Sequence, residues 1–345
     1  MTIKNVHAHE LKKGDITFYD APMFSGWKKI EKVMFLEFDE NTNWIKVFFE
    51  DGIVDQSVAN LSIASSAVLY GLSVYTVFPI CIDKAGKKQA FRLPEHYDRL
   101  INSARIIGID TFESAWDYEK FVKAVKQVVD ANTINDDVYV RVTVHVNENI
   151  AGTKSRGLKT TLSIFIYDAV PILKPTGCRL KSSVWRRIPD YAIPSRAKVN
   201  GAYVNSVLAK QDAIDSGYDD CIFLDAQGHV CELSAANIFI VRHGKLITPD
   251  TTSDLLEGIN RRSMMEVAAE EGIEVVERQI DLTELYIADE VFTTGTSANI
   301  SPILEVDARK IADGKIGPIT KKLQKIHHDM RHGDSKKHTH WLTQL

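Results

Sequence analysis

Lysines are frequent in this chain, and Lys198 stands out only through its company: Pro194-Ser195-Arg196-Ala197-Lys198-Val199-Asn200-Gly201-Ala202-Tyr203. An amine that is buried or held beside positive charge loses its proton near neutral pH and becomes a nucleophile for carbonyl groups. Glu232, in Cys231-Glu232-Leu233-Ser234-Ala235-Ala236-Asn237, has apolar strand sequence on both sides, where a carboxylate needs a partner. Gly258-Ile259-Asn260 opens a predicted helix, and Thr294-Gly295-Thr296-Ser297 is a turn after a predicted strand. Amides at helix starts, joined by an arginine fork, favour phosphate groups. Tyr139 and Arg141 alternate in V-Y-V-R-V, so they point to one side of a strand. Taken singly, each has an ordinary use, as a surface lysine, a hairpin glutamate or an exposed sheet face; their order along the chain sets them apart.

The elements that must position these residues follow from periodicity. Val33 to Glu50 alternates apolar and polar residues around Asp39-Glu40-Asn41-Thr42-Asn43 and predicts two strands joined by a turn, with a second turn at Asp51-Gly52. Leu93 to Gly108 repeats apolar residues at helical spacing behind Pro94, and Ser114 to Val129 predicts a second amphipathic helix. Strands follow at Val138 to Val146 and Thr161 to Asp168. Val170 to Gly177 holds Pro171, Pro175 and Gly177 and reads as a linker between residues 1–169, an α+β domain with an N-terminal extension, and a second domain over 178–330. In that second part Val199 to Ser216 predicts a helix stopped by Gly217, and hairpins turn at Gln227-Gly228 and His243-Gly244. Gly258 to Glu271 predicts another helix, and Pro318 opens a last one to about Met330.

The chain has 345 residues, 44% hydrophobic and 26% charged, the composition of a globular protein long enough for two packed domains. With 42 Lys+Arg against 46 Asp+Glu the net charge is -4, so no global field draws it to nucleic acid or anionic lipid. No segment has the apolar length of a membrane span, the N-terminus lacks a signal-peptide pattern, and the four cysteines have no C-x-x-C spacing. Those features predict a cytoplasmic protein without a zinc site. In the His- and Lys-rich segment Arg331 to Leu345, His332 lies four residues after His328, on one helical face. Without a carboxylate or cysteine constellation beside them in sequence, the expectation is a solvated polar tail, not a metal site.

The stretch PSRAKVNGAYVNSVLAKQDAIDSGYDDCIFLDAQGHVCELSAANIFIV resembles the fold-type IV pyridoxal-phosphate enzymes, most of all the branched-chain amino acid aminotransferases. The resemblance extends over roughly Asp51 to Met330 and implies a two-domain α/β fold with the active site between the domains. It implies pyridoxal 5'-phosphate as cofactor, with Lys198 forming the Schiff base and moving a proton, and Tyr203 bonded to the phenolate oxygen. Glu232 then faces the pyridine nitrogen, whose protonation makes the ring an electron sink. Leu256 stacks on the ring. Gly258, Ile259, Asn260 and Thr296 hold the phosphate, with Arg92 of A-F-R-L-P-E-H-Y-D-R-L as its clamp. On the substrate side the resemblance assigns Tyr70, Tyr75, Tyr139, Arg141, Thr296 and Ser297, with Arg141 taking the distal carboxylate of glutamate. It also implies a homodimer in which a neighbour's loop, here Asn149 to Thr153, completes each site.

Four positions depart from the family pattern: Thr76-Val77 stands where Glu-Gly is usual, Ala236 where a second glutamate precedes the asparagine, and Asn260 where the phosphate turn usually has threonine. Transamination between a hydrophobic L-amino acid and 2-oxoglutarate is the leading expectation. A D-amino acid or (R)-amine transaminase, and a lyase of the aminodeoxychorismate type, stay open on these residues.

Overall fold

The structure is a computed structural model that describes residues 46–149 and 152–345, all within one compact unit, Asn43–Leu345. Of the strand pair expected over Val33 to Glu50, the first strand lies outside the described residues. The second is β1 (Lys46–Phe49), which turns at Asp51-Gly52 into β2 (Gly52–Asp55). Then come α1 (Ser66–Tyr70), β3 (Ser73–Ile82), β4 (Lys88–Phe91), α2 (Leu93–Ile106), α3 (Asp110–Ala115), α4 (Tyr118–Ala131), β5 (Val138–Val146) and β6 (Thr160–Asp168). The helix expected over Ser114 to Val129 is split at Trp116, because the Asp117 carboxylate accepts from Lys120 N at 2.7 Å and caps a new helix there.

After residues 170–177 the chain continues as β7 (Cys178–Arg186), α5 (Tyr203–Asp215), β8 (Asp220–Leu224), β9 (Val230–Leu233), β10 (Asn237–Arg242) and β11 (Lys245–Thr248). It ends with α6 (Ile259–Glu270), β12 (Val275–Glu277), α7 (Leu282–Leu285), β13 (Glu290–Gly295), β14 (Asn299–Val306), β15 (Arg309–Lys310), α8 (Pro318–Arg331) and β16 (Leu342–Gln344). Among the described residues no helix is long and apolar enough to cross a membrane.

Two sheets result. The first runs β16-β4-β3-β5-β6-β1-β2. Alternation along its central strands sends Val74, Phe78, Ile80, Val140, Val142 and Val144 into a core with α2 and α4, while Tyr75, Val77 and Tyr139 cluster apart from that core. The second runs β12-β11-β10-β13-β14-β7-β8-β9, and the pairing of Asn237 with Glu232 brings β9 back to β10, closing six strands on themselves. Leu180, Ile222, Leu233, Ile238 and Ile303 belong to its buried core, and α6 and α8 cover Phe239 and Phe292.

The helix expected from Val199 starts only at Tyr203. Residues 198–201 instead lie extended along the start of β3, with Tyr75 N donating to Lys198 O at 3.0 Å and Asn200 N to Ser73 O at 2.9 Å. Gly71, at φ 63°, makes this possible, since a Cβ there would stand 2.8 Å from Gly201 Cα.

The polar-tail expectation is corrected. Residues 331–345 keep several exposed side chains but are docked, not free: β16 pairs with β4, Trp341 is buried, and its ring lies 4.2 Å from the Arg92 guanidinium. His328 and His332 do lie side by side, with ring centroids 4.1 Å apart, but the second ring is engaged elsewhere. Its Nε2 meets Asp137 Oδ2 at 2.8 Å and its Nδ1 meets His328 O at 2.8 Å. Both partners only accept, so both ring nitrogens donate and the imidazole is charged. Cys81 lies beside this pair, yet the Arg331 guanidinium donates to its sulfur at 3.3 Å and opposes any cation there.

The bond from Asp137 raises the His332 pKa above its ordinary 6.5, and although burial alone would raise Asp137, the histidine keeps its carboxyl below 3.8. The pair therefore stabilises fully between about pH 4 and 6.5 and fades as pH rises through the folded value of His332 or falls through that of Asp137. Melting curves should show wild type above His332→Gln by a margin that narrows steadily above pH 6.5. A margin independent of pH would mean the ring acts by packing alone.

Candidate active site

One cavity of about 230 Å³ collects side chains from both sheets and from the segment after β7. Lys198 reaches it from the segment stitched to β3, and its Nζ bonds the Tyr203 hydroxyl at 2.7 Å from the first turn of α5. Burial, with help from the Arg99 charge, lowers the Lys198 pKa. Burial raises the Tyr203 phenol, but the lysine charge, the shared hydrogen bond and one from Tyr75 bring it below its ordinary value.

Glu232 stands where the second sheet closes. Its Oε1 meets Arg187 Nη2 at 2.7 Å, and its Oε2 accepts from Asn237 Nδ2 at 3.0 Å and Leu256 N at 3.2 Å. Burial raises its pKa, and Arg187 works against that. Gly258 must be glycine, because a Cβ there would meet Asn237 Oδ1 at 2.0 Å.

At the other end α6 points its start into the cavity with Gly258, Ile259 and Asn260, whose amides precede the first intrahelical bond. Thr296 lies opposite, its hydroxyl donating to Val77 O at 3.1 Å. Arg99 enters from α2 with Nη2 3.3 Å from Thr76 Oγ1, and its buried Nε has no partner among the described residues. Burial brings its pKa down to about 10, so it remains a cation at neutral pH. Thr294 Oγ1 is likewise buried and unpartnered in the wall. These donors without acceptors describe an anion site.

The remaining wall joins Tyr75, Val77, Tyr167 and Ile172 to Arg141, whose guanidinium lies 3.7 Å from the Tyr75 ring centroid.

Residues 74–306 match the amino-transferase class IV family. The probable branched-chain-amino-acid aminotransferase of Aquifex aeolicus is 40% identical over 86% of this chain and 95% of its own length. The chain belongs to the class IV aminotransferases. The solved branched-chain aminotransferase of Thermoproteus uzoniensis, crystallised with norvaline, superposes at TM-score 0.83 with 35% identity, covering 87% of this chain and 99% of that one. A second solved branched-chain amino acid aminotransferase, the T.th. enzyme complexed with N-(5'-phosphopyridoxyl)-L-glutamate, superposes at 0.81 with 31% identity, covering 88% and 99%.

Pyridoxal 5'-phosphate is the cofactor of this aminotransferase, and the residues present fit it. The unpartnered Arg99 Nε and the free amides of α6 suit its phosphate, Glu232 suits its ring nitrogen, and Lys198 its aldehyde. Of the residues read from sequence, Lys198, Tyr203, Glu232, Leu256, Gly258, Ile259, Asn260, Thr296, Ser297, Tyr75 and Arg141 all line the cavity.

Three do not. Arg92 is corrected: it sits at the start of α2, seven residues before Arg99, and spends its guanidinium on Glu95 at 2.7 Å, Ser263 at 2.8 Å and Glu266 at 3.2 Å. It ties α2 to α6, and Arg99, two helical turns on, reaches the cavity instead. Tyr139 shares its strand face with Arg141 but is wholly buried beneath Tyr75 and Tyr167, with the Arg331 charge near its phenol. Tyr70 is exposed on α1, and its hydroxyl accepts from Gly152 N at 3.2 Å.

Sequence reasoning missed Arg99, Arg187 and Tyr167. Arg99 lay within the quoted A-F-R-L-P-E-H-Y-D-R-L motif, while Tyr167 carried no signal beyond strand alternation and Arg187, just past β7, carried none. Of the departures, Val77 and Ala236 line the cavity, whereas Thr76 turns away from it and bonds His96 Nδ1 at 2.9 Å.

Proposed function

We propose that this aminotransferase exchanges the amino group of a hydrophobic, branched-chain L-amino acid with 2-oxoglutarate, in two half-reactions through the one cavity. The observation that carries this reading is the meeting of an apolar wall, Val77 and Ile172, with the Arg141 guanidinium, which like Lys198 lies against the Tyr75 ring. Relatives named for branched-chain amino acids, and the solved relative complexed with a glutamate adduct, support it.

When bound, pyridoxal phosphate supplies an aldehyde that condenses with amines and a ring that withdraws electrons from the substrate α-carbon. Arg99, the first amides of α6 and Thr296 would hold its phosphate. Glu232, paired with Arg187, would hold a proton on the ring nitrogen. Lys198 Nζ removes the α-proton of the donor and returns a proton to the keto acid, and Tyr203 Oη orients the amine between those events. Tyr75 and Tyr167 line the cavity and would wall the substrate side chain.

Arg141→Met should weaken 2-oxoglutarate and glutamate by roughly 2–5 kcal/mol, the scale for losing one partner of a buried charge pair. Leucine never needs that contact and should lose far less. The half-reactions are followed separately from the absorbance of the bound cofactor, with L-leucine, D-amino acids and simple amines as donors. Equal loss for leucine and glutamate sinks the role of Arg141, and conversion by D-amino acids or amines alone sinks the donor assignment.

The same reading makes the enzyme a cytoplasmic homodimer. Val68, Leu69 and Tyr70 are exposed apolar side chains on α1, the last bonded to Gly152 N, a surface suited to a second copy. Light scattering should give at least twice the chain mass of 38.7 kDa, and a fully active monomer would remove this assembly.

A further inference from the structure

We infer that Asn200 is the specificity-positioning residue for the acidic substrate: its amide holds Arg141 in place without neutralising it. The inference rests on the proposed role of Arg141. Asn200 lies two residues past Lys198, on the segment paired with β3, with its backbone N bonded to Ser73 O at 2.9 Å. Its side chain bridges two groups. Nδ2 donates to Ser73 Oγ at 2.7 Å, and Oδ1 accepts from Arg141 Nη2 at 2.6 Å. A guanidinium can only donate, so the amide orientation is fixed by chemistry: oxygen toward Arg141, nitrogen toward Ser73.

Two consequences follow for a cavity that must admit both an apolar and an anionic side chain. The Tyr75 face at 3.7 Å and the Asn200 oxygen together fix the guanidinium plane, so little ordering remains when a distal carboxylate arrives. Because the amide is neutral, the full charge of Arg141 stays available to that carboxylate, and a single Asn200 bond satisfies one nitrogen when an apolar side chain occupies the cavity. Aspartate at this place would hold the arginine as firmly but cancel its charge. Alanine would leave the charge and release the arginine.

The test uses two unreactive ligands on cofactor-loaded enzyme: glutarate, which carries a distal carboxylate, and 4-methylpentanoate, which ends in a branched apolar group. Dissociation constants are measured by calorimetry for wild type, Asn200→Ala and Asn200→Asp. Asn200→Ala should weaken glutarate on the order of tenfold, the loss of one hydrogen bond to a charged group. Asn200→Asp should weaken it further, while 4-methylpentanoate stays unchanged in both. Parallel weakening of both ligands would show that Asn200 merely holds the 198–201 segment, and overturns the inference, as would unchanged glutarate binding or an Asp variant that binds glutarate better than the Ala variant. Wild type that binds glutarate but not 4-methylpentanoate refutes the branched-chain reading and leaves the glutarate comparison intact. Wild type that binds no glutarate overturns both.

Discussion

Lys198→Ala should lower transamination by more than the roughly 10²–10⁴-fold that a positioned proton-transfer group contributes, because the same amine is also the nucleophile toward the cofactor. Among the described residues Lys198 is the lysine in the cavity wall, so none of them there replaces it. The cofactor itself should stay bound, since the α6 amides, Thr296 and Arg99 do not depend on the lysine. Single-turnover measurements with leucine and with glutamate should show both half-reactions failing together, with partial rescue by added small amines. Near-parental turnover by the variant would remove Lys198 from the mechanism. A second readout concerns stability. Burial holds the folded pKa of Lys198 below the unfolded 10.5, so between those two values the unfolded chain binds more protons and stability rises with pH. Cofactor-free Lys198→Ala should lack that rise.

Arg187→Ala should cost about 3–5 kcal/mol of stability in the cofactor-free protein, because it leaves the Glu232 carboxylate buried without its cation. The carboxyl would then take up a proton, burial already pushing it that way. A protonated Glu232 cannot hold the proton on a ring nitrogen, so the half-reactions should slow while the phosphate end still retains the cofactor. Removing both charges tells this apart from lost packing. Arg187→Ala combined with Glu232→Gln should be more stable than Arg187→Ala alone, since no uncompensated charge is then buried. Urea unfolding of the two single variants and the double variant supplies the comparison, and costs that simply add would rule out the pair as a coupled unit.

The chemistry of the site was legible where it sits in contiguous motifs. Lys198 with Tyr203, Glu232 with Asn237, and the Gly258-Ile259-Asn260 turn each lie within a few residues of one another in sequence, so their types and spacing could be read together. Where two similar residues competed, sequence could not choose. Arg92 and Arg99 are seven apart, close to two helical turns, and both can face the same side of α2. Only the approach of α6, with Ser263 and Glu266 bonding Arg92, decides which of them is spent on packing. Tyr139 and Arg141 do share a strand face, as alternation requires, but the depth of each below Tyr167 depends on how β6 lies against β5.

The C-terminal segment shows the same division from the other side. Composition marks residues 331–345 as polar, and polar sequence is ordinarily solvated; yet Trp341 and β16 are held down by β4, which lies far earlier in the chain and leaves an edge to be covered. Helix α5 was expected four residues too early because its leading segment is extended by pairing with β3, a contact invisible to local periodicity. The sequence by itself thus determined most of the elements, since side-chain period depends on near neighbours, and through its motifs it named Lys198, Glu232 and the Gly258 and Thr296 turns, which the structure brings to one cavity. The tertiary structure alone decided which arginine faces the cavity, that Glu232 is paired with Arg187, and that Asn200 holds Arg141. Those depend on burial and on contacts between residues far apart in the chain, where desolvation turns an ordinary polar side chain into one that must find a partner.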